Sequence, residues 1–373
     1  MIRSSHGRAP ARRRVALAIT AAVLVVAGAA VPASAATGWV VQSTPNPASG
    51  TLNELTSVSC ASAANCIAVG NQQTSAGVMT ALAEHWNGST WALLTAVNPS
   101  GGTGVSLNAV SCPSATYCIA VGMNQPTVAS STAVAESWNG STWTLQSPVS
   151  PAKAWLSGIS CTATNNCVAV GSDSAGPLAE HWNGSTWAAQ TVPAAVGGMR
   201  AVSCVSASFC EALSGGTSEA ESWNGSTWTT QTFQAGSPFA VSCTSASNCE
   251  ATGYLYQSGD VYALAEHWNG SAWAYQTTVS PNSNAALYGV SCSSATSCTA
   301  AGVYTSSTGY GLTLAEYWNG STWTQQSTPN PSGAESANFQ GISCPTTADC
   351  TAVGDWYATS PSLARTLGEQ WTS

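Results

Sequence analysis

The amino-acid sequence predicts an all-β chain built from one unit repeated seven times, and three observations carry that expectation. A block typified by residues 107–146, holding L-N-A-V-S-C, C-I-A-V-G and W-N-G-S-T-W in fixed order, recurs along the chain. Its period of about 40 to 50 residues is that of stacked repeats or propeller blades. Helical periodicity is absent from the repeats, whose apolar runs are short, β-rich and bounded by Gly, Ser and Asn. Fourteen cysteines fall into pairs, one pair per repeat, each with five residues between its members.

The chain opens on a different composition. Residues 1–35 carry the marks of an export signal: Arg3, Arg8 and Arg12 to Arg14, then the apolar run Val15 to Ala30, then Ala33-Ser34-Ala35 as a small-residue cleavage site. The arginine run also resembles a twin-arginine signal. The apolar run is short for a transmembrane helix, and no later segment replaces it. Residues 36–373 then form the repeated domain, expected to be secreted and monomeric.

Without the signal, the cations are Lys153, Arg200 and Arg365, set against sixteen carboxylates. Nucleic-acid binding needs clustered cations to neutralise phosphates, so a nucleic-acid partner is excluded on charge, and an anionic membrane surface is disfavoured for the same reason.

The cysteine pairs are Cys60/Cys66, Cys112/Cys118, Cys161/Cys167, Cys204/Cys210, Cys243/Cys249, Cys292/Cys298 and Cys344/Cys350. In an exported chain they read as seven local disulfides. The rival reading, paired thiolates on zinc, usually needs two to four intervening residues, and no histidines accompany these cysteines. No metal or cofactor is expected.

Within each repeat, V-S-C and C-x-A-V-G form one hairpin, its register pinned by the disulfide, and A-E-x-W with T-W-x-x-Q form a second. Asn87-Gly88, Asn139-Gly140, Asn183-Gly184, Asn224-Gly225, Asn269-Gly270 and Asn319-Gly320 predict tight turns in which both residues tolerate positive φ. The paired tryptophans, such as Trp86/Trp91, are expected to pack one repeat on the next. The repeated glutamates, such as Glu84 and Glu136, are expected to be structural, since catalysis needs one carboxylate site rather than seven.

The ends of the repeated region complement each other. Residues 39–47, W-V-V-Q-S-T-P-N-P, nearly duplicate residues 323–331 but lack a preceding W-N-G, whereas the C-terminal L-G-E-Q-W stops before its return strand. An open solenoid would need atypical caps, so the offset points to a ring closed by its N-terminal strand, a seven-bladed β-propeller with one disulfide per blade.

This arrangement resembles seven-bladed kelch and WD-type propellers, and the V-S-C-x5-C-x-A-V-G plus W-N-G-S-T-W repeat is similar to a family of secreted bacterial propeller proteins without a firmly assigned activity. Two enzymatic relatives are poorly matched. The Gly88-Ser89-Thr90-Trp91 segment resembles half of a sialidase Asp-box, but Trp86 fills the Asp position and two arginines cannot form the sialidase triad. Copper-radical kelch oxidases need a free cysteine, and every cysteine here has a partner.

The resemblance implies that the variable loops share one face, where ligands bind, and that the cysteine and Asn-Gly turns share the other. Four residues before each first cysteine stand Thr56, Asn108, Ser157, Arg200, Phe239, Tyr288 and Gln340, followed in every repeat by a small residue and then Val or Ile. If the inner strand runs away from the ligand face, this column rings the channel mouth, and its mixture of amide, hydroxyl, guanidinium and aromatic groups suits sugars. A solvated rim without a ligand is the alternative. Trp155 and Trp356 lie near the same face, as do loop tyrosines including Tyr254 and Tyr357.

Material for acid–base chemistry is thin: Glu211 and Glu250 follow second cysteines, and Asp173, Asp260 and Asp355 sit in ligand-side loops. His85, His181 and His267 share one repeat position in separate blades, too far apart for a common metal. The expected function is noncatalytic binding of carbohydrate or cell-envelope glycan. An extracellular protein-interaction platform is the alternative, and a glycoside hydrolase or lyase is a third reading.

Overall fold

The expected hairpins form, two to each four-stranded group. A computed structural model describes residues 37–373 apart from 49, 100–103, 128, 194–196, 216–217, 283 and 359–362, so the expectation of a signal at 1–35 lies outside the described residues. Twenty-eight strands and no helix occur among the described residues, and so no helix there is long and apolar enough to cross a membrane.

Gly50–Ser62, Asn65–Thr74, Met79–Trp86 and Trp91–Leu94 pair antiparallel in succession and show the unit. Four separate four-stranded sheets repeat this order between residues 155 and 326. A further twelve-stranded sheet consists of three such groups joined edge to edge by the single parallel pairings Leu52↔Ala364 and Met79↔Gly104.

The three strands Ala334–Ser343, Asp349–Ala358 and Ala364–Thr372 receive their fourth from Gly38–Gln42, with Trp39 opposite Trp371. The duplicated S-T-P-N-P segments do the same work in both copies. Asn330 Oδ1 accepts from the Thr313 N–H at 3.2 Å, and Asn46 Oδ1 accepts from the Thr366 N–H at 2.9 Å.

All seven expected disulfides are present, each across the turn of the first hairpin: Cys60–Cys66, Cys112–Cys118, Cys161–Cys167, Cys204–Cys210, Cys243–Cys249, Cys292–Cys298 and Cys344–Cys350. Beside them the V-S-C serines link neighbouring groups. Cys112 donates its backbone N–H to Ser59 Oγ, Cys161 to Ser111, Cys204 to Ser160, Cys243 to Ser203, Cys292 to Ser242 and Cys344 to Ser291, all at 2.9–3.0 Å. The seventh bond, Cys60 N–H to Ser343 Oγ at 3.0 Å, joins the last group to the first.

Apolar cores lie between adjacent groups. Ile67, Val69 and Ala83 of one pack with Leu107, Val110 and Trp138 of the next, because each sheet must cover both of its faces. The tryptophan pairs meet at 5.4–5.7 Å within each complete hairpin, as between Trp86 and Trp91 or Trp223 and Trp228. Trp86 Nε1 also donates to Ala63 O, which brings the cysteine turn and the Asn-Gly turn to one side, as expected.

The spacing predicts local bridges that pin a hairpin register, and the structure adds that they take part in the cores. The second cysteines, Cys66, Cys118, Cys167, Cys210, Cys249, Cys298 and Cys350, are only 0–3% exposed and each belongs to a different apolar core. The reason is register. Each opens the second strand directly opposite the tryptophan of A-E-x-W or its C-terminal counterpart, as Cys66 stands opposite Trp86 and Cys350 opposite Trp371. These sulfurs are thus packing groups as well as cross-links, and no ligand reaches them from solvent.

The Asn-Gly turns differ from the two-residue form expected. Trp86 pairs with Trp91, leaving a four-residue loop in which Gly88 has φ 91° while Asn87 does not enter the positive region. Asn87 instead uses Oδ1 to accept from the Ser89 N–H, the Ser89 hydroxyl and the Thr90 N–H, so a side chain closes the turn.

The A-E-x-W glutamates are fully buried, as a structural role requires. Glu136, Glu180 and Glu316 each accept a backbone N–H from the preceding group, donated by Val97, Val149 and Val279 at 2.8–3.0 Å. Glu84, Glu221 and Glu369 accept no backbone N–H among the described residues. The equivalent positions are Pro45, Pro193 and Pro329, which have no N–H to give. Burial raises the Glu84 and Glu369 carboxyls to about 8 and about 9.

Candidate binding site

The variable column of the first strands coincides with a β-bulge in every group. Pairing between first and second strands skips one residue between Leu55 and Ser57, Leu107 and Ala109, Leu156 and Gly158, Met199 and Ala201, Pro238 and Ala240, Leu287 and Gly289, and Phe339 and Gly341. The skipped residues are Thr56, Asn108, Ser157, Arg200, Phe239, Tyr288 and Gln340. A bulged residue leaves the ladder and its side chain is re-aimed, which is why bulges recur at functional sites.

Opposite the bulge stands the last residue of C-x-A-V-G or its counterpart. In six groups it is glycine, and a Cβ at Gly70 would lie 2.0 Å from Glu54 O and one at Gly171 2.0 Å from Trp155 O, whereas the fourth group carries its bulge at Arg200 opposite Ser214.

All seven bulged residues line one cavity of about 180 Å³, which places the whole predicted column together. Their chemistry divides the set. Thr56 donates its hydroxyl to Leu107 O at 2.8 Å, and Asn108 donates its amide to Leu156 O at 2.8 Å, so both are engaged in binding the next strand. Gln340 donates to Asn338 Oδ1 at 2.8 Å, close to the buried Asp355. Burial first, and the nearby Glu54 charge second, push the Asp355 carboxyl up to about 7.

The remaining sector is aromatic and cationic. The Arg200 guanidinium lies 4.3 Å from the Phe239 ring centroid, with Tyr288 edge-on to Phe239 at 5.3 Å and Tyr254 at 5.4 Å. Desolvation lowers the Arg200 pKa and raises that of Tyr288, leaving a charged guanidinium beside a neutral phenol. Arg200 and Ser157 also line a second cavity of about 500 Å³ with Trp155 and Asp173. Trp155 is 37% exposed at its edge, so the two cavities share a wall that offers stacking surfaces and a cation.

Two predicted residues lie elsewhere. Trp356 lines a separate cavity of about 230 Å³ with Thr44 and Asn46, where Arg365 stands 5.2 Å over its ring. Tyr357, adjacent in sequence, has its hydroxyl pKa raised by burial and then by Asp355 and Glu54, and it does not line the cavity of the bulged residues. Their side chains alternate on a strand whose neighbour is the N-terminal segment's own partner, and sequence position relative to loops does not reveal that.

The carboxylates considered for catalysis are dispersed. Glu250 pairs with His267 Nδ1 at 2.8 Å, Glu211 accepts from the Ser222 hydroxyl, and Asp173 caps its own turn through the Ala175 and Gly176 N–H groups. His85 and His181 each bond an asparagine in their own sheet, Asn65 and Asn166. No group of three metal-ligating side chains occurs among the described residues.

No family model matches the sequence, and no curated protein does. Solved β-propellers match its fold. A structure described as YCF48 bound to D1 peptide is 16% identical over 92% of this chain and 97% of its own, with a TM-score of 0.59. YCF48 from Cyanidioschyzon merolae is 13% identical over 90% of this chain and 99% of its own, with a TM-score of 0.56. A catalytically inactive virginiamycin B lyase from Staphylococcus aureus with quinupristin is 8% identical over 90% of this chain and 100% of its own, with a TM-score of 0.59. At these identities the likeness is one of fold.

Proposed function

We propose that the protein is an exported, noncatalytic, monomeric binding module, a seven-bladed propeller closed by its N-terminal strand, that holds a saccharide at the channel mouth. The cycle of serine-to-cysteine hydrogen bonds supports the closed ring, and an exported environment suits a chain whose cysteines are all oxidised. The observation that carries the binding role is the convergence of seven bulged residues on one cavity whose open sector, Ser157, Arg200, Phe239 and Tyr288, combines hydrogen-bonding groups with aromatic faces. Sugars present hydroxyls to the first and C–H faces to the second.

Binding of the mature protein to immobilised cell-envelope polysaccharides tests this reading, with Tyr288→Ala and Phe239→Ala beside the wild type. Selective binding weakened about tenfold or more in both variants is expected. Binding that ignores both variants removes the bulged residues from the function.

A protein-interaction platform is the second reading, favoured by the propeller described as bound to a peptide. It predicts binding across a broad face that survives loss of any single bulged residue and is unaffected by free saccharides.

A further inference from the structure

Resting on the saccharide reading above, we infer that the sugar at the channel mouth carries a carboxylate, gripped by Arg200 while the sugar ring stacks on the neighbouring aromatic groups. The chain has sixteen carboxylates, yet the only ion pair among the described residues joins His267 to Glu250. Arg200 therefore has no acidic partner among the described residues of a protein where acids outnumber cations, and no hydrogen bond from its guanidinium to the described chain accompanies the Phe239 contact.

Stacking on Phe239 uses a face of the guanidinium and leaves its N–H edge free. That edge is a planar fork of donors whose natural complement is a two-oxygen anion. Gly215 stands beside it, and the position of a Cβ there would lie in ordinary contact with Arg200 Nε, at 3.5 Å. The group also belongs to both cavities, so a carboxylate bound there leaves the sugar ring free to extend toward Trp155 on one side or Tyr288 on the other.

Electrostatics orients such a ligand. Glu54 and Asp355 stand in the first and last groups, far in blade order from Arg200, and they disfavour an anion there, while Asp173 does the same on the Trp155 side of the cavity it shares with Arg200. The acidic excess of the whole domain repels polyanions, but it is screened over about 8 Å at physiological salt, whereas a desolvated Arg–carboxylate contact is not. The ligand is accordingly an otherwise neutral saccharide with a single carboxylate at the contact point, rather than a densely charged polymer.

Titration of the full mature protein with an aldobiouronic acid, one glucuronic acid joined to one neutral sugar, and with its methyl ester is the test. The acid is expected to bind at least tenfold more tightly than the ester. Arg200→Gln should erase the difference, Arg200→Lys should keep part of it, and Arg365→Gln, in the separate Trp356 cavity, should leave it intact. Equal binding of acid and ester, with Tyr288→Ala weakening both, overturns the carboxylate while leaving the saccharide site standing. Loss of the preference in Arg365→Gln rather than Arg200→Gln also overturns it. If neither saccharide nor any glycan binds, and a peptide with a free C-terminal carboxylate does, the saccharide reading and this inference fall together.

Discussion

The backbone N–H of Cys60 meets Ser343 Oγ at 3.0 Å, across 283 positions of sequence, in the same bond that ties each V-S-C serine to the next cysteine. The disulfide turns are thus tied to one another by hydrogen bonds rather than standing as isolated hairpins. A neutral buried hydrogen bond contributes about 1 kcal/mol. Ser343→Ala and Ser160→Ala are expected to destabilise by similar amounts in urea unfolding, since they remove equivalent bonds. Deleting residues 37–47 should cost considerably more, because it removes a whole strand and Trp39 from the core.

The buried glutamates predict a pH dependence. Glu369 has its pKa raised to about 9 and Glu84 to about 8, against an ordinary value of 4.5. The folded state therefore binds protons more tightly than the unfolded chain, and stability falls as pH rises between these limits. Thermal unfolding should show the protein more stable at pH 5 than at pH 9, with the loss on the order of a few kcal/mol. Glu369→Gln is expected to reduce that slope. Glu316, which accepts the Val279 N–H, has its pKa raised only to about 7, so most of its share of the loss should occur at lower pH.

Engagement among the bulged residues separates stability from binding. Asn108→Ala removes the bond to Leu156 O and should cost about 1 kcal/mol or more with little change in saccharide affinity. Arg200→Gln should do the reverse, leaving the urea midpoint within experimental scatter. A site in which both variants changed only binding would contradict the division drawn between its two sectors.

Six of the bulges stand opposite a glycine. Gly171→Ala would drive a Cβ to 2.0 Å from Trp155 O, so it should destabilise by about 3 kcal/mol or more and disturb the cavity walled by Trp155 and Ser157. Gly77→Ala has open space around its Cβ and serves as the comparison, carrying only the strain of its positive φ.

Each disulfide closes a short loop, for which chain entropy gives roughly 2 kcal/mol. Replacing Cys161 and Cys167 together by serine should lower stability by at least that amount, since Cys167 is also buried in the core, while the other hairpins persist. Titration of the unreduced protein should find essentially no reactive thiol.

Repetition made much of this protein legible in its sequence. The cysteine spacing, the W-N-G-S-T-W hairpins and the near copy of residues 323–331 at residues 39–47 revealed the disulfides, the strand order and the strand that the N-terminus lends to the last group. The variable column before each first cysteine was equally visible, because irregularity stands out against a strict repeat. Its cause was not visible: the bulge at Thr56 or Ser157 comes with a close approach to the glycine of the facing strand, which exists only once the two strands are side by side. The same holds for what each side chain does there. Thr56 and Asn108 look as suited to a ligand as Ser157 and Arg200, yet their donors are taken by carbonyls of the next group, about 50 residues away. Composition and spacing determined the architecture, because hydrogen-bonded hairpins are local. Which polar groups remain free, how deeply the cysteines are buried, which glutamates accept a backbone N–H, and which cavity Trp356 lines were decided by contacts between neighbouring strands and sheets.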